Sequence, residues 1–302
     1  MGIAWAIVAA LIATGCYSPR AEDCSYTCNA GPCPSGLHCV NNFCRESPEA
    51  AVACSPGGAD GRIDVLPSSY PTAVLADDPI AYFRLGEMAG ATQAINEIAG
   101  TGLGTYTPSV MLGTPGALSD TSTAATFDPG AGAQCAAVTS LPIYEIIAGD
   151  SFSLEAWVNL KAYSQTVNRE IVGKLGAVTA DAGYSLGLQW EPSLGMSRIR
   201  LRMGDGTMGE SETGNGLTLD TWHHVVATFN ATTMTVRFYV DGQDAGSDVF
   251  MQSSVAIESA DFTIGCRDNG TLESGFDGAI DEVAFYRKVL TPMQVMTHFA
   301  NR

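Results

Sequence analysis

Basic side chains are scarce in this 302-residue chain: 15 lysines and arginines stand against 32 aspartates and glutamates, for a formal charge of −17. A polyanion of that sign is repelled by nucleic acid and by anionic membrane surfaces, so neither is expected as a partner. Charged residues of both signs make up only 16% of the chain, while 46% of residues are apolar and 8% aromatic, enough to bury a sizeable core and too apolar for a disordered chain. Catalytic signatures are also missing. No Ser-His-Asp arrangement or Gly-rich phosphate loop stands out. Glycoside hydrolysis needs two facing carboxylates, and the one close pair, Glu210 and Glu212, falls in a stretch from Gly204 to Gly216 that reads as a loop. The chain is therefore not expected to be an enzyme.

An unbroken apolar run opens the chain, from Ile3 to Ala13, too short to span a bilayer as a stable helix and followed by small residues. Residues 1–15 read as an export signal. At its end, Ala13-Thr14-Gly15-Cys16 resembles a bacterial lipobox, in which small residues precede a cysteine that becomes the lipidated N-terminus. Cysteine parity agrees: nine cysteines are odd for an exported protein, and acylation of Cys16 leaves eight that can pair completely. The expectation is a secreted cell-envelope lipoprotein, exposed on the outer membrane and touching it only through the lipid on Cys16.

Cysteine density then divides the chain. Residues 16–23 read as an anchor segment. Residues 24–54 hold Cys24, Cys28, Cys33, Cys39, Cys44 and Cys54, with turn formers between them and too few apolar residues for a core, so disulfides must hold this module. Six cysteines allow 15 pairings, which sequence does not resolve. A zinc site would need paired C-x-x-C elements, and the spacings do not supply them. The run Cys33 to Cys39 resembles the C-P-x-G-x-x-C stretch of small extracellular EGF-like or Dickkopf-like modules. Residues 55–69, with Ser55-Pro56-Gly57-Gly58 and Pro67-Ser68-Ser69, read as an extended linker. If the six pair among themselves, Cys135 and Cys266 are left to bond, closing a very long loop worth on the order of 4 kcal/mol.

From residue 70 to 302 the dominant period is two, the mark of strands buried on one face. Phe152, Leu154, Ala156 and Val158 alternate with Ser153, Glu155 and Trp157, and Tyr184, Leu186, Leu188 and Trp190 follow the same rule. Ile199, Leu201 and Met203 alternate with Arg198, Arg200 and Arg202, and Met234 to Val240 runs into the hairpin dipeptide Asp241-Gly242. Only the tail differs: Thr291-Pro292 reads as a helix start, with Val295, Met296 and Phe299 as its apolar stripe. The reading is all-β: an antiparallel jelly-roll β-sandwich with a short C-terminal helix, preceded by the small disulfide-rich module.

Four stretches in order carry a family resemblance. They are Ala81-Tyr82-Phe83-Arg84-Leu85-Gly86-Glu87, Phe152-Ser153-Leu154-Glu155-Ala156-Trp157-Val158, Trp222 to Phe229 with Phe238-Tyr239-Val240-Asp241-Gly242, and Phe276 to Tyr286 with its Ile280-Asp281-Glu282-Val283 centre. Together they resemble the laminin-G-like jelly-roll family, related to concanavalin A-like lectins and pentraxins. The resemblance implies a fold that hosts lectins, adhesion modules, spacers and hydrolases, and so implies no one function.

It also implies a structural calcium ion near the closing strand, with Asp281 at the matching position and Glu97 where relatives carry an aspartate. His223 and His224, adjacent on a strand, point to opposite faces and are expected to pack within the sheet rather than share an ion. The row Arg198, Arg200, Arg202 either recognises carboxylated or sulfated glycans or forms a face balanced by neighbouring acids. Trp190 either stacks on a sugar or fills the core. The leading expectation is a recognition or adhesion module for a glycan or extracellular protein ligand. The alternatives are a structural envelope lipoprotein without a specific ligand and, further off, a hydrolase on the same fold.

Overall fold

The computed structural model describes residues 69–302, apart from short stretches at 132–133, 166–167, 177–181, 206–207, 251–254, 256–258, 269–271 and 274, together with two strands nearer the N-terminus. The chain divides into two compact units, Met1–Leu66 and Pro67–Arg302. In the first, β1 (His38–Val40) and β2 (Phe43–Arg45) pair antiparallel, with Cys39 opposite Cys44. The export segment, Cys16 and the rest of the six-cysteine module lie outside the described residues.

The second unit opens with helix α1 (Tyr70–Ala76) and short strands β3 (Ala81–Phe83), β4 (Gln93–Ala94), β5 (Gly104–Tyr106), β6 (Met111–Pro115), β7 (Thr123–Phe127) and β8 (Ala136–Val138). Long strands follow: β9 (Phe152–Leu160), β10 (Arg169–Leu175), β11 (Ala182–Glu191), β12 (Met196–Asp205), β13 (Met208–Leu217), β14 (Trp222–Asn230), β15 (Thr235–Val240) and β16 (Gln243–Val249). The closing part is β17 (Phe262–Ile264), β18 (Arg267–Asp268), β19 (Leu272–Glu273), β20 (Gly278–Tyr286) and helix α2 (Pro292–Ala300). One sheet runs β13-β12-β11-β10-β17-β8-β5-β4, and the other runs β16-β15-β14-β9-β20-β7-β6 with β3 also paired to β20.

The period-two residues make this sandwich. Phe152, Leu154, Ala156 and Val158 of β9 meet Tyr184, Leu186 and Leu188 of β11 and Ile199, Leu201 and Met203 of β12 in one apolar core between the sheets. Asp241 (φ 52°) and Gly242 (φ 74°) both take left-handed backbone and turn β15 directly into β16, as a two-residue hairpin requires. Cys135, just before β8, is bonded to Cys266, just after β17, and those strands pair Ala136 with Ile264.

Three features depart from the sequence reading. The first is a second apolar cluster on the outer face of the β9–β14–β20 sheet, where Tyr70, Val74, Trp157, Val226, Tyr239, Tyr286, Leu290 and Val295 pack under α1 and α2. Strand β9 is therefore buried on both faces, not one. The second is α1 itself, a seven-residue helix with no side-chain cap. The third is β13, which occupies the stretch read as a loop. Its glycines are poor strand formers, but it pairs with β12 nearly throughout, placing Glu212 opposite Arg200 and Glu210 opposite Arg202.

Gly278 begins β20 at φ 143°, and a Cβ there would lie 2.1 Å from the Asn159 carbonyl oxygen. Gly278→Ala is expected to cost about 2–3 kcal/mol through this backbone collision and the disfavoured φ. A urea melt showing a loss under 1 kcal/mol would mean that β20 can shift away.

Candidate functional site

The arginine row lies on β12, on the outer face of the sheet that runs from β13 to β4, already neutralised. Arg200 is wholly buried: its guanidinium crosses over Gly187 of β11 to Glu170 of β10 at 3.1 Å, and it also meets Gln189 at 3.0 Å and Glu210 at 3.3 Å. A glycine is needed beneath this bridge, because a Cβ at 187 would come within 2.6 Å of Glu170 Oε2. Arg202 lies 3.0 Å from Glu210 and 3.6 Å from Glu170. Arg198, about a quarter exposed, reaches Glu191 at 2.9 Å and Glu212 at 3.6 Å. The three arginines, read as either a glycan site or a face balanced by acids, are thus held by four glutamates: Glu210 and Glu212 of β13, Glu191 at the end of β11 and Glu170 of β10. Arg198 is the member of the row that keeps a partly open side. Glu170 went unnoticed in sequence, and so did the meaning of Glu210 and Glu212, because their partners lie across strands.

At the end of the β11–β12 hairpin the surface changes character. Trp190 is half-buried beside the half-buried Tyr163, ring centroids 5.7 Å apart, and the Tyr163 hydroxyl donates to the Leu217 carbonyl of β13 at 2.8 Å. Glu191 follows Trp190, and hydrogen bonds from Ser193, helped by Arg198, hold its carboxyl below the usual range. Leu194 in the hairpin turn is exposed. Trp190 is absent from the central core, so the choice between core and surface left open by its spacing falls at the rim.

Asp281 and Glu97, the two residues expected near a calcium ion, differ in burial. Asp281 is buried at a bulge in β20, where burial, reinforced by the adjacent Glu282, pushes its carboxyl up. Its Oδ2 accepts the Ala117 N–H at 2.9 Å, and its Oδ1 has no protein partner. The Ser122 carbonyl lies close by, since a Cβ on Gly116 would meet Asp281 Oδ2 at 2.7 Å and Ser122 O at 2.8 Å. Glu97 is exposed and lines a polar surface hollow with Arg84, Glu87 and Asp120. The buried residue of that loop is its neighbour Asn96, whose Oδ1 accepts from Tyr82 and Ile98 N–H and whose Nδ2 donates to Thr101 Oγ1. Among the described residues no three acidic, histidine or cysteine side chains converge as metal ligands.

The two adjacent histidines do diverge. His223 Nδ1 lies 2.9 Å from Asp241, while His224 is buried with Nε2 2.6 Å from Glu155. Glu155 is the centre of a buried polar cluster. Tyr70 donates to its Oε1 at 2.9 Å, Tyr286 to its Oε2 at 2.8 Å, and His298 Nδ1 lies 3.0 and 3.1 Å from the two oxygens. Burial alone would raise the Glu155 pKa, but His298 and His224 outweigh it and hold the carboxyl well below its usual range. Enclosure beneath α1 and α2 gives this group a structural role.

A family model described as the concanavalin A-like lectin/glucanases superfamily, of laminin-G type, matches residues 131–296. The chain belongs to this laminin-G family. No curated protein matches the chain in sequence. Among solved structures, the laminin-G sandwich is similar to domain 4 of a GH43 extracellular arabinanase from Geobacillus stearothermophilus in complex with arabinotriose, with TM-score 0.54 and 16% identity over 73% of this chain and 97% of that one. It is similar to the binding domain of Paraclostridial Mosquitocidal Protein 1, with TM-score 0.55 and 13% identity, and to the binding domain of botulinum neurotoxin DC in complex with rat synaptotagmin II, with TM-score 0.54 and 12% identity. The match covers 74% of this chain in both cases but only 52% and 51% of the two toxin domains, so the laminin-G sandwich spans about half of each. At these identities the likeness is one of fold.

Proposed function

We propose that this laminin-G protein is an exported, lipid-anchored recognition module that binds glycan at the rim of its sandwich and does not act as an enzyme. The observation that carries the reading is the half-buried pair Trp190 and Tyr163 at the end of the β11–β12 hairpin, ring centroids 5.7 Å apart. Aromatic faces take the apolar face of a sugar ring, and a partly exposed pair of them at a rim offers such a face. The arabinanase domain seen with arabinotriose lends support to a glycan, and the toxin domain seen with synaptotagmin supports a protein ligand as the second reading.

A glycan array and a pull-down from surface extracts test the two readings together. Trp190→Ala is expected to weaken glycan binding by roughly 30-fold, about 2 kcal/mol, the scale of an aromatic anchor. The unfolding midpoint should hardly move. Binding that survives the substitution would displace the site from the rim. Silence in both assays would leave a structural envelope role.

A further inference from the structure

His298, on the last turn of α2, is fully buried between two carboxylates on different elements. Nδ1 faces Glu155 on β9 at 3.0 and 3.1 Å, and Nε2 faces Asp77, the residue that ends α1, at 3.0 Å. A carboxylate only accepts, so both ring nitrogens must donate, and the ring satisfying both is the imidazolium. Its surroundings leave little alternative. Glu155 also receives Tyr70 from α1, Tyr286 from β20 and His224 Nε2 from β14, and each of these can give it a hydrogen. His224 Nδ1 is buried without a partner, which suits a ring protonated on Nε2 alone. Asp77 is further held by Gln294 of α2 and lies 3.9 Å from Lys288. Beyond these, Tyr82 and Glu282 bear on Tyr70, Tyr82 also bears on Glu155, and the Arg302 guanidinium lies over the Phe299 ring at 4.4 Å.

We infer that His298 is a proton-held latch: while charged it ties α2 to both α1 and the sheet, and on losing its proton it lets the two helices loosen from the sheet they cover. The loss removes one of the two N–H donors and leaves Glu155 or Asp77 facing a bare nitrogen, with net negative charge beneath the helix. Around this polar cluster the helices also cover apolar side chains. Phe299 stacks on Trp157 at 5.7 Å, and Tyr70 meets the edges of Trp157 and His298. Burial alone would pull the imidazolium pKa down, but Glu155 and then Asp77 outweigh it and hold it above its ordinary value. Because the folded value is the higher one, the latch is whole below the ordinary histidine value of about 6.5 and is lost as pH rises through the raised value.

Hydrogen exchange of the α1 and α2 amides, corrected for intrinsic rate from pH 5.5 to 9, tests the latch. Protection is expected to be level below about pH 6.5, then to fall by up to tenfold per pH unit until the raised value is passed. The fall should be confined to the two helices, absent in His298→Gln, unchanged in His223→Gln and ended at lower pH, with a smaller total drop, in Asp77→Asn. Protection that stays level in the wild type overturns the proposal, as does an equal fall in His298→Gln or one shared by β11 and β12. Should His298→Gln fail to fold, Asp77→Asn decides, because an unmoved fall there overturns it as well.

Discussion

Glu155→Gln is expected to destabilise the sandwich unit by about 3–5 kcal/mol, the cost of removing one partner from a buried charge pair. Four groups aim hydrogens at this carboxylate: Tyr70, His224, Tyr286 and His298. A glutamine of the same shape keeps one acceptor oxygen and brings N–H donors of its own, so at least two of the four lose their acceptor. The His298 charge is left with Asp77 alone. For a unit of this size the loss corresponds to a fall in the unfolding midpoint of roughly 10 °C.

The pH dependence distinguishes lost charge from lost packing. Glu155 is ionised more readily in the folded chain than in the unfolded one, so its contribution is full above the ordinary glutamate value of about 4.3 and drains away as pH falls through its depressed folded value. The gap between wild type and Glu155→Gln should therefore narrow steadily below about pH 4.3. Urea melts at pH 7 and pH 3 measure it. A loss below 1 kcal/mol at pH 7, or a gap that stays constant into acid, would show the cluster to be incidental to stability.

What could be read from the chain and what could not separate along a physical line. Period two exposes inward side chains, so the core-facing residues of β9, β11, β12 and β15 stood out, and Asp241-Gly242 and Thr291-Pro292 marked a turn and a helix start through local backbone preference. The same pattern misassigned Glu155 and Trp157, because alternation tells the two faces of a strand apart but not whether a helix covers the second. Glu155 and His298 are 143 positions apart, and no local pattern records their meeting. The arginine row was visible and a face balanced by acids was one of its two readings, yet which acids balance it was not, since Glu210 comes from the adjacent β13 and Glu170 from β10, beyond β11. Residues of β13 read as a loop because glycine lowers strand propensity, while a ladder formed with β12 overrides that preference. Glu97 stands out through the resemblance, where relatives carry an aspartate, while the residue that closes the loop is the buried amide Asn96 beside it.

Removing the Cys135–Cys266 bond is the other change of large expected effect, and it acts mostly on the unfolded chain. The two cysteines are 131 positions apart, and closing a loop of that length restricts the denatured ensemble by roughly 4–5 kcal/mol in the chain-entropy account. The folded unit gives up little. Both sulfurs are buried, the β8–β17 ladder that brings them together rests on its own backbone pairing, and Phe262 and Ile264 of β17 stay in the core. Cys135→Ala with Cys266→Ala is therefore expected to fold to the same sandwich and to unfold at lower urea, with a loss of about 4 kcal/mol. The slope of the transition should steepen, since a chain freed of its longest cross-link exposes more surface when it unfolds. If the bond acted instead by clamping the folded sandwich, the midpoint would fall with the slope unchanged, and hydrogen exchange would rise first at β8 and β17. An unchanged midpoint would mean that the unfolded chain already keeps the two strands together without the bond.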